Sequence, residues 1–525
     1  MRGIVAAGAA ALLLGLTACA PGLEERLEAA RAYQAGKAEE TAAFFKDRTA
    51  PLTLPECRAW AHERTLKLTQ ARLDASLARI QSTAAFSAFL PQVEWTYQRS
   101  GTDKTLRTNV PSLGLAVQMQ DKWMTQTALT VSQPVFAPNA WLLWLAARRG
   151  ADLQELTTAR NEEMLDVQVA TLFYQAAVAA RTIEAYDAQA DASAELVRQI
   201  EALEAEGLAL RGEAARARAF HENDLYNAQV ARDNAFAAKA NLLDLLALHP
   251  LSDAAPPVDG ASLLAVRALP WGTMDAEGKW APRGRDAALA LPLEEWLWTA
   301  LVARKELWAG DLSITLRKVE ALAALAHFLP TLSVTGGRAY AGSDFITPHS
   351  YLTGGIGGVM SVFDGLQSIA DYQAARAREE AAYALREDAA ATLMVSVWQA
   401  WTNWRQARDL KAVAAVALQA AEVDYAETKA RYEDDQETLS EVLDKFSALE
   451  QARIDAVSSE YADALAEYVF RDTVGLGWGD GAASRPGEQK TENSEQSAPD
   501  GATDKTPDGK SESQEPLLKK IGGAA

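Results

Sequence analysis

The chain has 525 residues, of which 49% are hydrophobic, and a formal charge of −20. It is too long for one ordinary core and too apolar to be disordered throughout. Its acidic balance excludes nucleic acid as a natural partner.

In chain order, the first feature is an apolar run from Ile4 to Leu16 behind Met1-Arg2, ending in Leu16-Thr17-Ala18-Cys19. It falls short of the about 20 residues that span a bilayer as a helix and suits the core of a secretory signal. Leu16 to Cys19 resembles the bacterial lipobox, in which the cysteine becomes the lipid-bearing first residue. Residues 1–18 are then a signal peptide and 19–51 a lipidated N-terminal segment. Ala20 stands where the common inner-membrane retention signal has Asp, so the expected address is the outer membrane. An ordinary signal with a chance cysteine is the alternative. Loss of residues 1–18 removes Arg2 alone among charged residues and takes the net charge to −21. Cys57 then has no internal disulfide partner and is expected to be an inert, buried thiol. Beyond residue 19 no stretch supplies 18 uninterrupted apolar residues, so any membrane passage must be made of strands.

The chain repeats itself. A helix-like stretch from Leu52 to Leu90 closes on Leu90-Pro91, and another from Leu291 to Leu329 closes on Leu329-Pro330, 239 residues later. Each is followed by two strand-like segments, the second ending in Gln133-Pro134-Val135-Phe136 or Met360-Ser361-Val362-Phe363. That offset is 227, so the first copy carries 12 more residues between its strands. Very long helical patterns follow, about Pro138 to Glu206 and Gly365 to Asp434, and then further helices over about Leu208 to Leu248 and Gln436 to Arg471. The units are thus 52–249 and 291–478, each helix-strand-strand-helix-helix, joined by a Pro- and Gly-containing linker, 250–290.

From Gln92 to Gln98 every odd position is apolar or aromatic and every even one polar. Trp123, Leu129 and Val131 share a parity in the next segment, as do Leu332, Val334 and Tyr340, and Leu352, Ile356, Met360 and Val362. A half-buried soluble sheet shows the same alternation, but segments of this length also suit transmembrane strands. Four strands cannot close a barrel, and an open edge cannot sit in lipid, so the chain is expected to oligomerise; three chains would supply twelve strands and a water-filled lumen. A helix of some 69 residues spans on the order of 100 Å. Its apolar positions, such as Leu165, Val169, Leu172 and Ala176, recur at spacings of three and four and imply coiled-coil packing.

This pattern, over about residues 52–478, resembles the TolC-like outer-membrane efflux protein family, in its lipoprotein branch. The resemblance is carried by Leu52-Thr53-Leu54, Leu90-Pro91, Gln133-Pro134-Val135-Phe136, Val362-Phe363-Asp364-Gly365 with Ala374 and Ala377, Arg431-Tyr432, and Glu441-Val442-Leu443-Asp444. It implies a mainly α protein with a membrane β-barrel portion: a homotrimer whose long α-helical coiled-coil barrel continues into a 12-stranded barrel, four strands per chain. It further implies a passive exit duct for small molecules, without catalysis or cofactor apart from the covalent lipid on Cys19. The implied partners are a periplasmic adaptor protein, an inner-membrane transporter and outer-membrane lipid, and the implied place is the outer membrane with a large periplasmic portion. A non-conducting envelope lipoprotein or scaffold is the alternative; it would have no need of alternating strands.

The resemblance also assigns residues. Gly207 and Leu208 match a tip that meets the adaptor, and Asp435 lies at the second tip, where the family commonly has Gly. Glu441 and Asp444 match acids that ring the periplasmic gate, and Glu213 matches an acid that pairs with the counterpart of Tyr432 to hold it closed. Glu437 replaces an assisting basic residue. A solvated acidic helix face is the competing reading of Glu441 and Asp444. Elsewhere the five histidines lack metal spacing, and Gly354-Gly355-Ile356-Gly357-Gly358 lacks the Lys-Ser/Thr ending of a phosphate loop. No nucleophile–base constellation suggests an enzyme. Residues 479–525, polar and without aromatics, read as a disordered acidic tail.

Overall fold

A computed structural model describes residues 22–478 except 47, 105–106, 111–114, 119–120, 208, 275–279, 343–347 and 435. The expected signal, Cys19, Leu208, Asp435 and the tail 479–525 lie outside the described residues. The chain opens with helix α1 (Leu23–Phe45), exposed over most of its length and docked at its C-terminal end through buried Thr41 and Phe45. Helices α2 (Leu54–Arg64) and α3 (Leu66–Phe86) lead into β1 (Gln92–Gly101). A short hairpin, β2 (Arg107–Val110) with β3 (Leu115–Gln118), precedes β4 (Trp123–Phe136) and occupies the insertion between the first copy's strands. Then come α4 (Pro138–Ala205) and α5 (Arg211–Leu245).

Between the copies lie a 3₁₀ segment (Gly260–Ala268), a small hairpin of β5 (Trp271–Met274) and β6 (Trp280–Arg283), and the short α6 (Arg285–Leu289). The second copy follows with α7 (Leu293–Ala303), α8 (Lys305–Ala326), β7 (Thr331–Gly342), β8 (Ser350–Val359), α9 (Gln367–Glu433) and α10 (Leu439–Thr473). No helix among the described residues is long and apolar enough to cross a membrane.

The continuous helices expected over 52–90 and 291–329 are each broken in two. The breaks fall at Thr65 and Arg304, where ψ turns to 122° and 127°. Neither is a Gly or Pro; tertiary partners hold both in the extended region. The Thr65 hydroxyl donates to the Leu245 carbonyl at 2.9 Å. Arg304 Nη1 donates to the Asp472 carbonyl at 2.5 Å and lies 3.4 Å from its carboxylate. The Asp472 side chain also lies 3.2 Å from Arg160 of α4, which pairs with Glu163 and Glu306, and Lys305 closes on Glu163 at 2.7 Å. Despite burial, the attraction of Asp472, Glu306 and Glu163 holds Arg160 above the usual arginine range.

One four-stranded antiparallel sheet takes the order β1-β4-β7-β8, with β1 and β8 at its edges. The register sets Val93 opposite Val131, Trp95 opposite Leu129, and Val334 opposite Ile356, so the apolar parity of each strand falls on a single face. That face is bare: Trp95 is 61% exposed, Ile356 82% and Leu352 83%. Gly337 lets two strands approach, since a Cβ there would lie 2.3 Å from the Leu129 carbonyl. The strands hand over to helices by two devices. Pro138 opens α4, where its missing N–H costs nothing. Ahead of α9, Gly365 and Leu366 are left-handed (φ 70° and 73°) while Asp364 accepts the Ser368 N–H at 3.0 Å. The Ser368 hydroxyl and backbone draw the Asp364 carboxyl below its ordinary range.

Below the sheet α4 packs along α5, α9 along α10, and α10 against α4. At the waist, Leu52, Cys57, Phe173, Leu242, Leu263 and Tyr468 join α2, α4, α5, the 3₁₀ segment and α10 in one core. Burial pushes the Cys57 thiol up to about 12, which makes it unreactive at neutral pH. A second core stacks Trp271 on Trp404 at 5.3 Å and sets Trp296 and Phe470 around them. The segment read as a linker therefore carries structure, with Trp271 as its anchor. Gly272 makes room, since the Trp280 ring occupies the place its Cβ would take.

Candidate functional site

At the end far from the sheet the two helical hairpins, α4–α5 and α9–α10, turn and meet. Ile200 of α4, Ala214 and Ala217 of α5, and Leu439 and Leu443 of α10 are buried together, with Tyr432 of α9, Leu196 and Phe220 packed around them. Such a cluster fixes where the helices emerging from the turns point. Tyr432 packs against the same cluster as Ala214, the residue that follows Glu213.

The first turn uses Gly207, exposed and left-handed at φ 77°, a conformation that costs a residue without Cβ little. Chain reversal is completed by the Ala209 N–H donating to the Leu203 carbonyl at 3.3 Å. Helix α5 then starts behind Leu210, a residue with no side-chain acceptor. Glu213 supplies the missing cap: its Oε2 accepts the Leu210 N–H at 2.9 Å. Arg218 pairs with Glu201 at 2.6 Å across the hairpin.

The second turn closes through the Gln436 N–H, which donates to the Arg431 carbonyl at 2.8 Å. Helix α10 begins behind Thr438, whose hydroxyl faces the Glu441 N–H at 3.4 Å. The Glu441 carboxylate is left free of capping duty. Both it and the Asp444 carboxylate are exposed and have no side-chain partner among the described residues, while Val442 and Leu443 between them are buried. A spacing of three puts the two acids on one helix face. Glu437, expected as a departure from a basic residue, lies 3.8 Å from Arg431. The tip therefore offers two unneutralised carboxylates per chain on a face fixed by a buried apolar cluster.

Further along the α4–α5 hairpin is a buried polar group that the sequence did not reveal. Gln189 Nε2 donates to Asp224 at 2.9 Å, and Ser193 lies 3.0 Å from His221 Nδ1. Burial raises the Asp224 carboxyl above its ordinary range, against the pull of Ser193 and His221. On α10, burial likewise raises Glu450, although Arg453 lies 2.6 Å away. Periodicity marks such positions as inward-facing only when they are apolar, so these acids gave no usable signal.

The family profile described as outer membrane efflux protein matches residues 296–468, from α7 to near the end of α10. That match covers most of the second repeat. No curated protein matches it. Among solved structures it is similar to CusC, whose description concerns folding and transmembrane channel formation, with a TM-score of 0.66, 17% identity, and coverage of 81% of this chain and 92% of CusC. It is similar to the CmeC outer membrane channel of Campylobacter jejuni, with a TM-score of 0.65, 16% identity and coverage of 84% and 89%. It is also similar to the outer membrane protein VceC of Vibrio cholerae, with a TM-score of 0.66, 14% identity and coverage of 81% and 97%. At these identities the likeness is one of fold: a mostly helical chain with a few strands, built as channel proteins are.

Proposed function

We propose that this chain is the outer-membrane exit duct of a tripartite efflux system, conducting small molecules passively from periplasm to exterior. The observation that carries the reading is the sheet: four antiparallel strands, one apolar face, and an open edge at each of β1 and β8. Open edges are untenable in lipid. Joining β8 of one copy to β1 of the next removes them, and three copies give twelve strands, enough for a lumen. The helices of three chains then continue the wall as a twelve-helix tube below the membrane.

In this reading Cys19 bears lipid and holds the chain at the outer membrane. Gly207, Leu208 and Asp435 form the tips that meet a periplasmic adaptor, which links the duct to an inner-membrane transporter. Glu441 and Asp444 form the periplasmic gate, with Tyr432 and Glu213 beside it. Threefold symmetry would place six carboxylates around one axis, in two rings roughly 4.5 Å apart along the helix. A narrow mouth of that charge draws in cations.

Single-channel recording in planar bilayers tests the duct. Discrete cation-preferring conductance is expected, and a protein that binds bilayers without conducting would instead be a scaffold. Sedimentation in detergent tests the assembly, where a stable folded monomer would overturn it. Cys19→Ala should leave an unprocessed precursor; normal cleavage without a change in mass would refute lipidation.

A further inference from the structure

One end of the sheet's apolar face carries charge. Arg338 on β7 has Leu129 on one neighbouring strand and Leu352 on the other, both on its own face. An arginine on a lipid-facing strand is costly at the middle of the bilayer, and the cost falls away near the headgroups. Position decides which applies. Arg338 is the eighth residue of β7, about 24 Å along the strand from Thr331 at roughly 3.4 Å per residue. With a tilt of about 40° that is on the order of 18 Å of rise, against an apolar band about 25 Å tall. An extended arginine covers the remainder by snorkelling away from the helical end.

The side chain is held in that direction. Arg338 Nε donates to the Ser350 hydroxyl at 2.9 Å, and Ser350 opens β8 at the end of the sheet remote from the helices. The two terminal nitrogens are left without a partner among the described residues. Strand register sets Arg99 on the same face and at the same end, opposite Thr125. Its guanidinium lies 5.1 Å from the Trp123 ring, and that ring fills the space left by the absent side chain of Gly101. Tyr97 and Tyr340 complete an aromatic rim, both about half exposed. The face contains no acid among the described strand residues, so none of them answers the two guanidinium groups.

Two arginines in an aromatic rim above an apolar band match, in order of height, the phosphate, interface and acyl chains of a lipid. Arginine offers planar paired donors to phosphate oxygens. We propose that Arg338, assisted by Arg99, binds the phosphate of an anionic lipid headgroup in the leaflet remote from the helices. This rests on the reading of the apolar face as membrane-embedded.

The test uses the full protein in nanodiscs containing either a bisphosphorylated glucosamine lipid or its dephosphorylated form, with lipid retention read by native mass spectrometry. Wild type should prefer the phosphorylated lipid by on the order of tenfold, the worth of a charge-assisted hydrogen bond. Arg338→Gln should abolish the preference, Arg338→Lys should keep part of it, and Arg99→Gln should weaken it less. An unchanged preference in Arg338→Gln overturns the site, and displacement of the lipid by inorganic phosphate overturns its assignment to lipid. Planar-bilayer conductance separates the two ideas. A wild type that neither inserts nor conducts defeats the barrel and this site together, whereas normal conductance without a preference for phosphate defeats this site alone.

Discussion

Thr65 and Arg304 hold the same place in the two repeats, 239 residues apart, and each keeps the backbone extended between two helices. Thr65 does so with one hydroxyl on the Leu245 carbonyl. Arg304 does so within a group of three cations, Arg160, Arg304 and Lys305, and three acids, Glu163, Glu306 and Asp472. The difference follows from what each break touches. The first meets the end of its own repeat's α5, so a local hydrogen bond suffices. The second lies where the end of α10 crosses α4, and its charges tie the first repeat, the second repeat and the last helix together.

The largest expected effect comes from breaking that asymmetry. Arg304→Met removes a buried cation and leaves the buried Asp472 carboxylate with Arg160 in place of two arginines, for which a loss of about 3 kcal/mol is expected. Thr65→Val deletes one hydroxyl and leaves a carbonyl unsatisfied, for roughly 1–2 kcal/mol. Chemical denaturation of the detergent-solubilised protein measures both. Adding Asp472→Asn to Arg304→Met should recover part of the loss, because the under-compensated buried charge disappears. Equal costs for the two single variants would mean that the charges contribute no more than a hydroxyl.

The two tips repeat the lesson on a smaller scale. Glu213 and Glu441 are equivalent, each three residues after the capping residue, Leu210 or Thr438, that precedes its helix. Leu210 offers no acceptor, so Glu213 turns back to cap; Thr438 offers one, so Glu441 stays free. The pair Glu441→Gln with Asp444→Asn should therefore lower cation preference and relieve block by a trivalent cation applied from the periplasmic side. Glu213→Gln should instead cost about 0.5–1 kcal/mol of stability through a weaker cap and leave selectivity unchanged. Wild-type selectivity and block in the double variant would make those acids a solvated outer face.

The strands were legible because each has one apolar parity, and the long helices because alanine and leucine recur at three and four without a proline. The tips could be placed from where those patterns stop. The breaks at 65 and 304 could not, since Glu63-Arg64-Thr65-Leu66 and Ala303-Arg304-Lys305-Glu306 contain good helix formers and the deciding partners lie far along the chain. Strands of four residues such as β5 and β6 are too short to show a period. The division of labour between Glu213 and Glu441 depends on whether the capping residue has an oxygen, which a shared motif pattern conceals.

The smallest effect sharpens the comparison of the two helical hairpins. Asp224 of α5 is 1% exposed, and the equivalent position on α10 is Ala452. Burial raises the Asp224 carboxyl above its ordinary value of 3.8, with Ser193 and His221 pulling the other way. A folded-state pKa above the unfolded one means that the native protein holds the proton more tightly. The stabilising contribution is complete below about 3.8 and is lost as pH rises through the folded value. At neutral pH the ionised Asp224 thus weakens the first hairpin relative to a neutral residue of the same shape. Asp224→Asn keeps an oxygen to accept from Gln189 and should raise the melting temperature at neutral pH by at most a few degrees. The gain should shrink as pH falls and vanish below the ordinary aspartate range. A loss at neutral pH would show instead that the pull of Ser193 and His221 on the ionised carboxylate outweighs the cost of burying it, and a gain that persists at low pH would show that it does not come from the carboxylate's charge.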